Sequence, residues 1–248
     1  MDRAVYDRMA EIDRDHWWFV GRRRILTALI GKFRPKPGRL RILEVGAGTG
    51  SNIAMLQGFG EVDAIEPDDH ARAFAEQRTG LTLKGGYLPG VPLEDGYYDL
   101  IVLFDVLEHI PDDHGALTAL RSKLAPGGRL LLSVPAIPSL WSAHDVAHHH
   151  HRRYTAKSLE AVVRGAGYRP IHRSAFNTLM LPAIVAVRML HRLRGHEGGD
   201  DDAVPPGPLN RLLANLFGAE RYFVVRGLLP VGVSLALVAV PAEGGSTR

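Results

Sequence analysis

Cysteine is absent from the 248 residues of this chain. The absence excludes disulfide bonds, thiolate metal sites and cysteine nucleophiles, so any metal would have to be bound by His, Asp or Glu. Long apolar runs are absent as well, because no uninterrupted stretch reaches the ~18 to 20 residues that a membrane-spanning helix needs. The longest candidate, LLPVGVSLALVAVPA, is bounded by prolines, which favours a buried strand.

An excess of charge of one sign is also lacking. The formal net charge is +3 and both signs are interspersed, so we expect no nucleic-acid partner. The N-terminal segment MDRAVYDRMAEIDRDHWWF carries acids and lacks the apolar core of a signal peptide, which predicts a cytoplasmic protein. The length and the 46% hydrophobic content favour one α/β domain over residues 1–248.

Strand and helix patterns alternate along the middle of the chain. The apolar runs RILEV, EVDAI, YYDLIVLF and GRLLLSV are separated by helical patterns, and such alternation predicts a mostly parallel sheet with helices on both faces. We therefore divide the chain into an N-terminal helical cap (1–34), a central core (35–175), a helical insertion (176–226) and a last strand (227–242).

The insertion combines two apolar helical patterns, LPAIVAVRMLHRL and LNRLLANLFGAERYFVV, with the loop GHEGGDDDAVPPGP between them. The composition of the loop predicts an exposed, mobile connection. The helices are too apolar for simple solvent exposure. Residues 179–226 are therefore expected to cover a hydrophobic acceptor, to form a homodimer interface or to lie on a membrane surface, and core packing is the simplest alternative for any single residue.

A glycine-rich turn, LEVGAGTG, closes the first predicted strand of the core. Its glycines permit positive φ and let the backbone pass close to a ligand. Glu66 ends the next strand about twenty positions later, where an acid commonly accepts hydrogen bonds from ribose hydroxyls. Glu44 precedes the glycines and would attract a cation but disfavour a pyrophosphate. The two acids therefore indicate a nucleoside with a positive centre rather than a nicotinamide dinucleotide.

Four segments between Arg41 and Pro135, namely ILEVGAGTG, AIEPDD, YYDLIVLFDVLEHI and SKLAPGGRLLLSVP, occur in the order known from one family. In this the chain resembles the class I S-adenosylmethionine (SAM)-dependent methyltransferases. The resemblance implies a Rossmann-like fold with a seven-stranded sheet, N-terminal helices, a helical insertion before the last strand and residues 35–175 as the SAM-binding core. It also implies SAM as the methyl donor and S-adenosylhomocysteine as the product.

The resemblance assigns a cofactor site residue by residue. Glu44 is expected near the methionine end of SAM and Glu66 at the ribose. Relatives often carry an acid for the adenine amino group, but this chain reads KGGYLPGVP there, so the adenine contact is expected from backbone near Gly86 and Tyr87. The full cofactor-binding set is Glu44, Gly46, Ala47, Gly48, Gly50, Asn52, Glu66, Pro67, Tyr87, Asp105 and Val106.

A general base is needed in methyl transfer only when the acceptor arrives protonated, because alignment and exclusion of water are otherwise sufficient. His109, in DVLEHI, lies after the fourth family strand, where it would be near the reacting atoms. The family frequently has this histidine, so a structural role in the turn is the alternative.

The segments HWWFVGRRRIL and HDVAHHHHRRYT resemble a pair found together in a subset of these methyltransferases. This correspondence adds three catalytic candidates to His109, and they are His144, Asp145 and His150. It also gives the substrate-binding candidates Trp17, Trp18, Arg22, Trp141, Arg152, Arg153 and Tyr154.

Three interpretations of the histidine segment stay open. In the favoured one, Asp145 orients His144 as a general base, while arginines hold the acceptor and tryptophans form an aromatic wall. In a disfavoured one, His144, Asp145 and His150 bind a divalent cation. In the last, Asp145 pairs with Arg152 or Arg153, and the segment only packs the N-terminal helix over the cofactor.

The sequence thus predicts a SAM-dependent methyltransferase acting at oxygen on a small-molecule or lipid-like acceptor. The alternatives are an N- or C-methyltransferase of a natural-product or cell-envelope intermediate, and a SAM-binding protein without catalysis. Glu44 disfavours a nicotinamide oxidoreductase. A peripheral contact with a membrane stays compatible with the expected cytoplasmic location.

Overall fold

A computed structural model describes residues 3–193 and 204–242 of the chain. Its centre is one sheet of six strands in the order β2-β1-β3-β4-β6-β5, in which only β6 runs antiparallel to its neighbours. The strands are β1 (Leu40–Val45), β2 (Gly60–Ile65), β3 (Tyr98–Phe104), β4 (Leu124–Pro135), β5 (Tyr168–Phe176) and β6 (Ser234–Pro241). The predicted α/β class with a mostly parallel sheet is confirmed.

The described part of the chain has six strands where the resemblance implies seven. At the outer edge of β2, Lys84 forms one isolated parallel bridge with Ile65. The residues that follow, GGYLPGVP, cannot extend this bridge, since proline has no N–H to donate and glycine weakens a strand. The expected edge strand is thereby reduced to a single bridge.

Helices surround the sheet and, within the described ranges, include ten α-helical segments and two short 3₁₀ turns. The helices are α1 (Arg3–Ile12), α2 (Trp17–Phe33), α3 (Ile53–Gln57), α4 (Asp69–Thr79), α5 (Asp113–Arg121), α6 (Ala143–Ala147), α7 (Ala156–Gly165), α8 (Leu181–Leu193), α9 (Gly207–Ala219) and α10 (Arg221–Val224), and the 3₁₀ turns are Leu107–His109 and Pro138–Leu140.

Both faces of the sheet are covered. On one face, α2 buries Ile25, Leu26, Leu29 and Ile30 against β1, β3 and β4. These residues recur at helical spacing, and each buried side chain contributes about 1.5–3 kcal/mol relative to exposure. The other face is covered by α5 and α7, whose leucines and valines join the larger core. None of the helices within the described segments is both long and apolar enough to cross a bilayer.

The N-terminal helix α2 and the insertion helix α9 touch directly. A Cβ on Gly21 would lie 2.4 Å from the ring of Phe217, so only glycine lets the two helices approach this closely. Phe217 also stacks on Phe176 at the end of β5 and meets Trp17 edge-on. The cap and the insertion therefore form one connected layer over the sheet.

Several predicted boundaries shift. The last strand begins at Ser234 rather than residue 227, and the second insertion helix is divided at Glu220 into α9 and α10. The connection GHEGGDDDAVPPGP, predicted to be mobile, lies mostly outside the described residues, and its last two residues belong to α9. Thr155 caps α7 through the N–H of Ser158, as its position before an apolar helical pattern predicts.

All six strands bring one end to the same edge of the sheet. The four parallel strands β1 to β4 end there, β5 ends there, and β6 begins there at Ser234, which pairs with both Pro135 and Phe176. Ligands of open α/β sheets bind at the carboxyl edge. The loops gathered at this edge build the site described next.

Candidate active site

One continuous cavity of about 1140 Å³ opens at the carboxyl edge of the sheet. Its walls come from α1 and α2, the glycine turn, the loops after β2 and β3, the histidine segment and the start of α8. Ligand sites in proteins usually measure ~300 to 1,000 Å³. The cavity is therefore large enough for two molecules side by side.

The glycine turn is shaped for close contact. Gly46 has φ +71°, and a Cβ there would lie 2.6 Å from a methyl carbon of Val106. Gly48, at φ +55°, faces open space instead, with no described atom within 4 Å of the Cβ position. The first glycine is thus required by packing, and the second leaves room for a ligand over the backbone.

Glu66 stands at the end of β2 with both carboxylate oxygens accepting hydrogen bonds. One oxygen accepts from the N–H of Gly48 at 2.7 Å and the other from the N–H of Asp68 at 3.0 Å. The hydroxyl of Tyr6 on α1 donates to the same carboxylate. Burial raises the pKa of Glu66 against the effect of these N–H donors. The predicted ribose-binding acid is therefore preorganised in the cavity wall, with α1 directly above it.

Glu44 lies one layer behind the glycine turn. Its Oε1 accepts from the side-chain amide of Asn52 at 3.0 Å, while Oε2 is buried with no hydrogen-bonding partner among the described residues. Burial raises the pKa of Glu44 to about 7. A carboxylate that is buried and half-satisfied favours a cationic group nearby.

Asp105 directly follows β3 in a left-handed conformation, with φ +56°, which is uncommon outside glycine and frequent at functional sites. Its carboxylate lies 3.1 Å from Nε of Arg22 and accepts from Ser133 at 3.2 Å. Arg22 also donates to the carbonyl of Phe104 and lies over the ring of Trp18. The guanidinium of Arg22 is thus engaged in tying α2 to the end of β3.

Asp145 is fully buried beneath the histidine segment. It accepts from Nε and Nη2 of Arg153 at 2.7 and 2.9 Å, from Nδ1 of His150 at 2.9 Å and from the N–H of Ser142 at 2.8 Å. Burial alone would raise the pKa of Asp145, but the donors outweigh it and hold the pKa below its usual range. The segment therefore shows the Asp145–Arg153 pair that the third interpretation expected.

The histidines themselves line the cavity as a group. The ring centroids of His144 and His148 lie 4.1 Å apart with the rings tilted, and those of His109 and His150 lie 4.6 Å apart with the rings edge-on. Burial lowers the pKa of His109 and that of His148 to about 3 each. Both rings are therefore neutral near pH 7, when each can accept a hydrogen bond or bind a metal ion.

Most of the predicted cofactor residues meet at the cavity. The residues that line it are Gly46, Ala47, Gly48, Asn52, Glu66, Pro67, Tyr87, Asp105 and Val106. Glu44 supports Asn52 from behind, and Gly50 packs against Ala75 and Thr79 of α4. Gly50 thus serves the contact between the turn and α4.

The predicted catalytic and substrate residues separate into two groups. Those lining the cavity are Trp17, Trp18, Arg22, His109, His144, His150 and Arg153. Arg152 and Tyr154 instead contact Asp113 at the start of α5, and Trp141 lies at the surface. The contacts with Asp113 hold Arg152 and Tyr154 against α5. The substrate roles expected for these two residues and for Trp141 stay predictions.

The predicted metal set of His144, Asp145 and His150 does not come together. Within the described ranges, the three potential metal ligands that come together are Glu108, His109 and His150, with one ligand atom of each within 4.8 Å of the others. Asp145 is instead committed to Arg153 and to Nδ1 of His150.

Four cavity or supporting residues escaped the sequence analysis, and they are Tyr6, Asp13, Glu108 and Asn177. Glu108 was within a quoted motif, DVLEHI, so its position after a buried strand was an available signal. Asn177, like Asp105, follows a strand with positive φ, and its buried Oδ1 has no partner among the described residues. No local pattern marks Tyr6 and Asp13, because their contacts depend on how α1 folds back over the sheet.

A Rossmann-like sheet with a glycine turn after β1, a carboxylate after β2 and an antiparallel β6 is the fold that the chain shares with solved SAM-dependent methyltransferases. A family profile described as a methyltransferase domain matches residues 18–173. The chain therefore belongs to this family of methyltransferases.

Two relatives by sequence and one solved structure illustrate the similarity. The chain is 36% identical over 95 residues to an uncharacterised methyltransferase of Staphylococcus carnosus, covering 37% of this chain and 45% of that protein. It is 31% identical over 147 residues to trans-aconitate 2-methyltransferase of Deinococcus radiodurans, covering 57% and 52%. The chain thus spans about half the length of these relatives. A chain of the Haloferax volcanii complex between the Trm112 methyltransferase activator and a methyltransferase superposes with a TM-score of 0.62 at 17% identity, covering 97% and 96%.

The residues of the site fit SAM, the cofactor of this fold class. The buried free oxygen of Glu44 suits the electrostatic needs of the cationic methionine end. The open space over Gly48 and the adjacent carboxylate of Glu66 suit a nucleoside. When bound, SAM supplies an activated methyl group on a sulfonium.

Proposed function

We propose that this protein transfers the methyl group of SAM to an oxygen atom of a small-molecule or lipid-like acceptor. The observation that carries the proposal is the single cavity of about 1140 Å³ that joins the glycine turn to the histidines and to α8. One end has the charges and open backbone of a nucleoside site. The other end is apolar and lined with imidazoles, as an acceptor site would need.

At the cofactor end, the chain supplies alignment. Glu66 would hold the ribose hydroxyls, and Glu44, through Asn52 and its own charge, would favour the amino group of the methionine end. Asp105 and Val106 would border the reacting methyl carbon. Fixed positioning of this kind supplies much of the rate acceleration in a displacement that needs no further activation.

At the acceptor end, apolar side chains form a wall. Met180, Ile184 and Val187 reach the cavity from the start of α8, and Trp17 and Trp18 face it from α2. Such a wall excludes water and matches an acceptor with an apolar portion. This lining supports a lipid-like or aromatic small molecule over a charged polymer.

Oxygen is favoured as the methylated atom because an acceptor hydroxyl must lose a proton, and the cavity offers histidines to take it. His144 is proposed as that base, with its ring centroid 4.1 Å from that of His148 and the loop held in place by the Asp145–Arg153 pair. The Deinococcus relative is named for trans-aconitate, whose carboxylates offer oxygen nucleophiles that need no base, so it supports oxygen as the methylated atom but not the role of His144.

Many exposed apolar side chains lie in the insertion, and they include Leu179, Met189, Leu209, Leu212, Tyr222 and Phe223. Clusters of this kind mark surfaces for a partner or a membrane. The proposed role of residues 179–226 is therefore contact with a second copy or with a lipid surface. Analytical ultracentrifugation and vesicle flotation distinguish the two.

Calorimetry with S-adenosylhomocysteine tests the cofactor half of the proposal. Binding is expected for the parent protein and for Glu61→Gln, whose side chain is exposed on β2, and it is expected to weaken at least ~10-fold in Glu66→Gln, since a charge-assisted hydrogen bond contributes ~1.5–3 kcal/mol. Transfer of a labelled methyl group to hydroxylated acceptors then tests catalysis. A protein that does not bind S-adenosylhomocysteine would contradict the proposal.

A further inference from the structure

Three side chains beyond the ends of β3 and β4 converge at the acceptor end of the cavity. A ligand atom of each of Glu108, His109 and His150 lies within 4.8 Å of the others. Glu108 and His109 belong to the 3₁₀ turn after β3, and His150 belongs to the segment after α6. The cluster is thus assembled from two separate loops of the carboxyl edge.

Glu108 is the unusual member of this cluster. Its side chain is 0% exposed, and neither oxygen finds a hydrogen-bonding partner in another described residue. Burial and the nearby charge of Asp105 raise the pKa of Glu108. A carboxylate placed this deeply is normally paired with a cation or coordinates a metal.

The nearby arginines are engaged elsewhere. Arg153 donates two hydrogen bonds to Asp145 and one to the carbonyl of Ala136. Nε of Arg22 lies 3.1 Å from Oδ2 of Asp105. Neither guanidinium forms a hydrogen bond or ion pair with Glu108 in the described structure. Both arginines still lower the pKa of Glu108 from a distance, but burial and the charge of Asp105 outweigh them. A direct partner for the buried carboxylate is therefore left to a proton or a bound ion.

His150 is oriented toward Glu108 by a hydrogen bond on its opposite side. Asp145 accepts from Nδ1 at 2.9 Å, so Nε2 is the ring nitrogen turned toward Glu108. Nε2 lies 4.0 Å from Oε1 of Glu108. Two metal–ligand bonds of about 2.1 Å each span up to about 4.2 Å, so one ion can bind both atoms.

His109 is held in a similar way. The backbone of His148 lies close enough to interact with its ring, and one ring nitrogen belongs to the 4.8 Å cluster. Carboxylate and carbonyl partners behind metal-binding histidines are a regular feature of metal sites.

We propose that Glu108, His109 and His150 bind a divalent transition-metal ion at the acceptor end of the cavity. Two imidazoles and one carboxylate suit zinc, manganese or ferrous iron. Three protein ligands leave coordination positions open toward the cavity, where an oxygen of the acceptor would bind beside Asp105. That last role rests on the proposed methyl transfer, but binding of the ion does not.

The test uses untagged protein freed of metal by a chelator. Calorimetric titration with zinc chloride is expected to show one site per chain, with Kd in the micromolar range or below. Glu108→Gln, His109→Gln and His150→Gln are each expected to weaken zinc binding at least ~10-fold, as loss of one ligand does in other metal sites. His114→Ala, an exposed histidine on α5, is the matched control and should bind zinc like the parent.

The exposed histidines next to the cluster, His149 and His151, are the alternative zinc site that the experiment must exclude. If zinc is bound by the exposed run itself, the double variant His149→Ala/His151→Ala loses the site while Glu108→Gln keeps it, and the proposal is overturned. X-ray absorption of the zinc complex should show two imidazoles and oxygen ligands. Circular dichroism identifies any variant that fails to fold, and the remaining two ligand variants then decide.

Failure of this inference is distinguishable from failure of the proposed function. Binding of S-adenosylhomocysteine is measured in the chelated protein, with no metal present. A protein that binds S-adenosylhomocysteine but not zinc overturns the metal site alone.

Discussion

Arg78 of α4 donates two hydrogen bonds of 2.7 Å each to the carboxylate of Asp13, the residue after α1. The side chain of Thr49 in the glycine turn donates to the same fully buried carboxylate, also at 2.7 Å. This one contact ties the N-terminal helix to both the cofactor loop and α4. The position of α1 over the predicted cofactor site is therefore fixed by the hydrogen bonds of Asp13.

We expect Arg78→Ala to lower the free energy of unfolding by about 3 kcal/mol, because it leaves a buried carboxylate without its cation, and to weaken S-adenosylhomocysteine binding. Arg78→Lys keeps the charge but cannot form both hydrogen bonds, so an intermediate decrease in the free energy of unfolding is expected. Urea denaturation and calorimetry measure the two effects. Arg164→Ala, which breaks an exposed pair with Glu160, is the control and should cost no more than about 0.5 kcal/mol. An equal decrease in the free energy of unfolding in Arg78→Ala and Arg164→Ala would contradict the assigned role of Asp13.

Glu44 makes stability and cofactor binding depend on pH in opposite directions. Its pKa is about 7 in the folded protein against 4.5 for the free side chain, so folding favours the neutral form. The contribution of Glu44 to the free energy of unfolding is fully present below pH 4.5 and is lost as the pH rises through about 7. This contribution amounts to at most about 3 kcal/mol. A cationic ligand reverses the preference, because it favours the ionised carboxylate.

Binding of S-adenosylhomocysteine is therefore expected to release a proton near pH 6 and to tighten as the pH rises toward 7. Calorimetry in buffers of different ionisation enthalpy measures the proton count. Glu44→Gln should bind without this pH dependence. Proton release that is the same in Glu44→Gln and the parent would assign the titration to another group, such as Glu66.

His144→Ala is expected to lower turnover at least ~100-fold while leaving S-adenosylhomocysteine affinity unchanged, because a positioned base contributes ~10²–10⁴-fold. Val146→Ala removes an exposed side chain from the same short helix and is the control for damage to α6. Steady-state kinetics with an acceptor that the parent protein methylates give the first readout, and calorimetry with S-adenosylhomocysteine gives the second. Loss of cofactor binding together with turnover would instead indicate that His144 supports the fold of the loop.

The apolar wall can be tested on a single helix. Ile184 faces the cavity from α8, and Met189 on the same helix is exposed to solvent. Ile184→Trp is expected to raise KM for the acceptor at least ~10-fold by filling its space, since one lost pocket contact is worth ~1–3 kcal/mol. Met189→Trp should leave KM unchanged, and S-adenosylhomocysteine should bind both variants like the parent. An unchanged KM in Ile184→Trp would move the acceptor site away from α8.

The cofactor half of the site was predictable from sequence because its parts are local. Gly46 and Gly48 lie within one turn, and Glu66 lies at the end of the next strand, so the parallel sheet alone brings them together. Asp13 was not predictable in this way. It reaches Arg78 across 65 positions of chain, and only the packing of α1 on the sheet sets that distance.

The histidine segment shows how adjacency in sequence misleads. His144 and Asp145 are neighbours within α6, but successive residues of a helix do not face each other. Asp145 turns inward and meets His150, which folds back after the helix ends. The extended residues that follow alternate sides, so Arg153 points to Asp145 while Arg152 and Tyr154 point to Asp113.

The insertion between β5 and β6 is separate along the chain from the turns of the predicted cofactor site. β5 and β6 pair from Tyr168 to Phe176, whereas the glycine turn, Glu66 and Asp105 follow β1, β2 and β3. The insertion contains none of these turns, although Phe217 of α9 packs on Gly21 of α2. Under the proposed function, we therefore expect substitutions in α8 to change the choice of acceptor while the methyl donor stays the same.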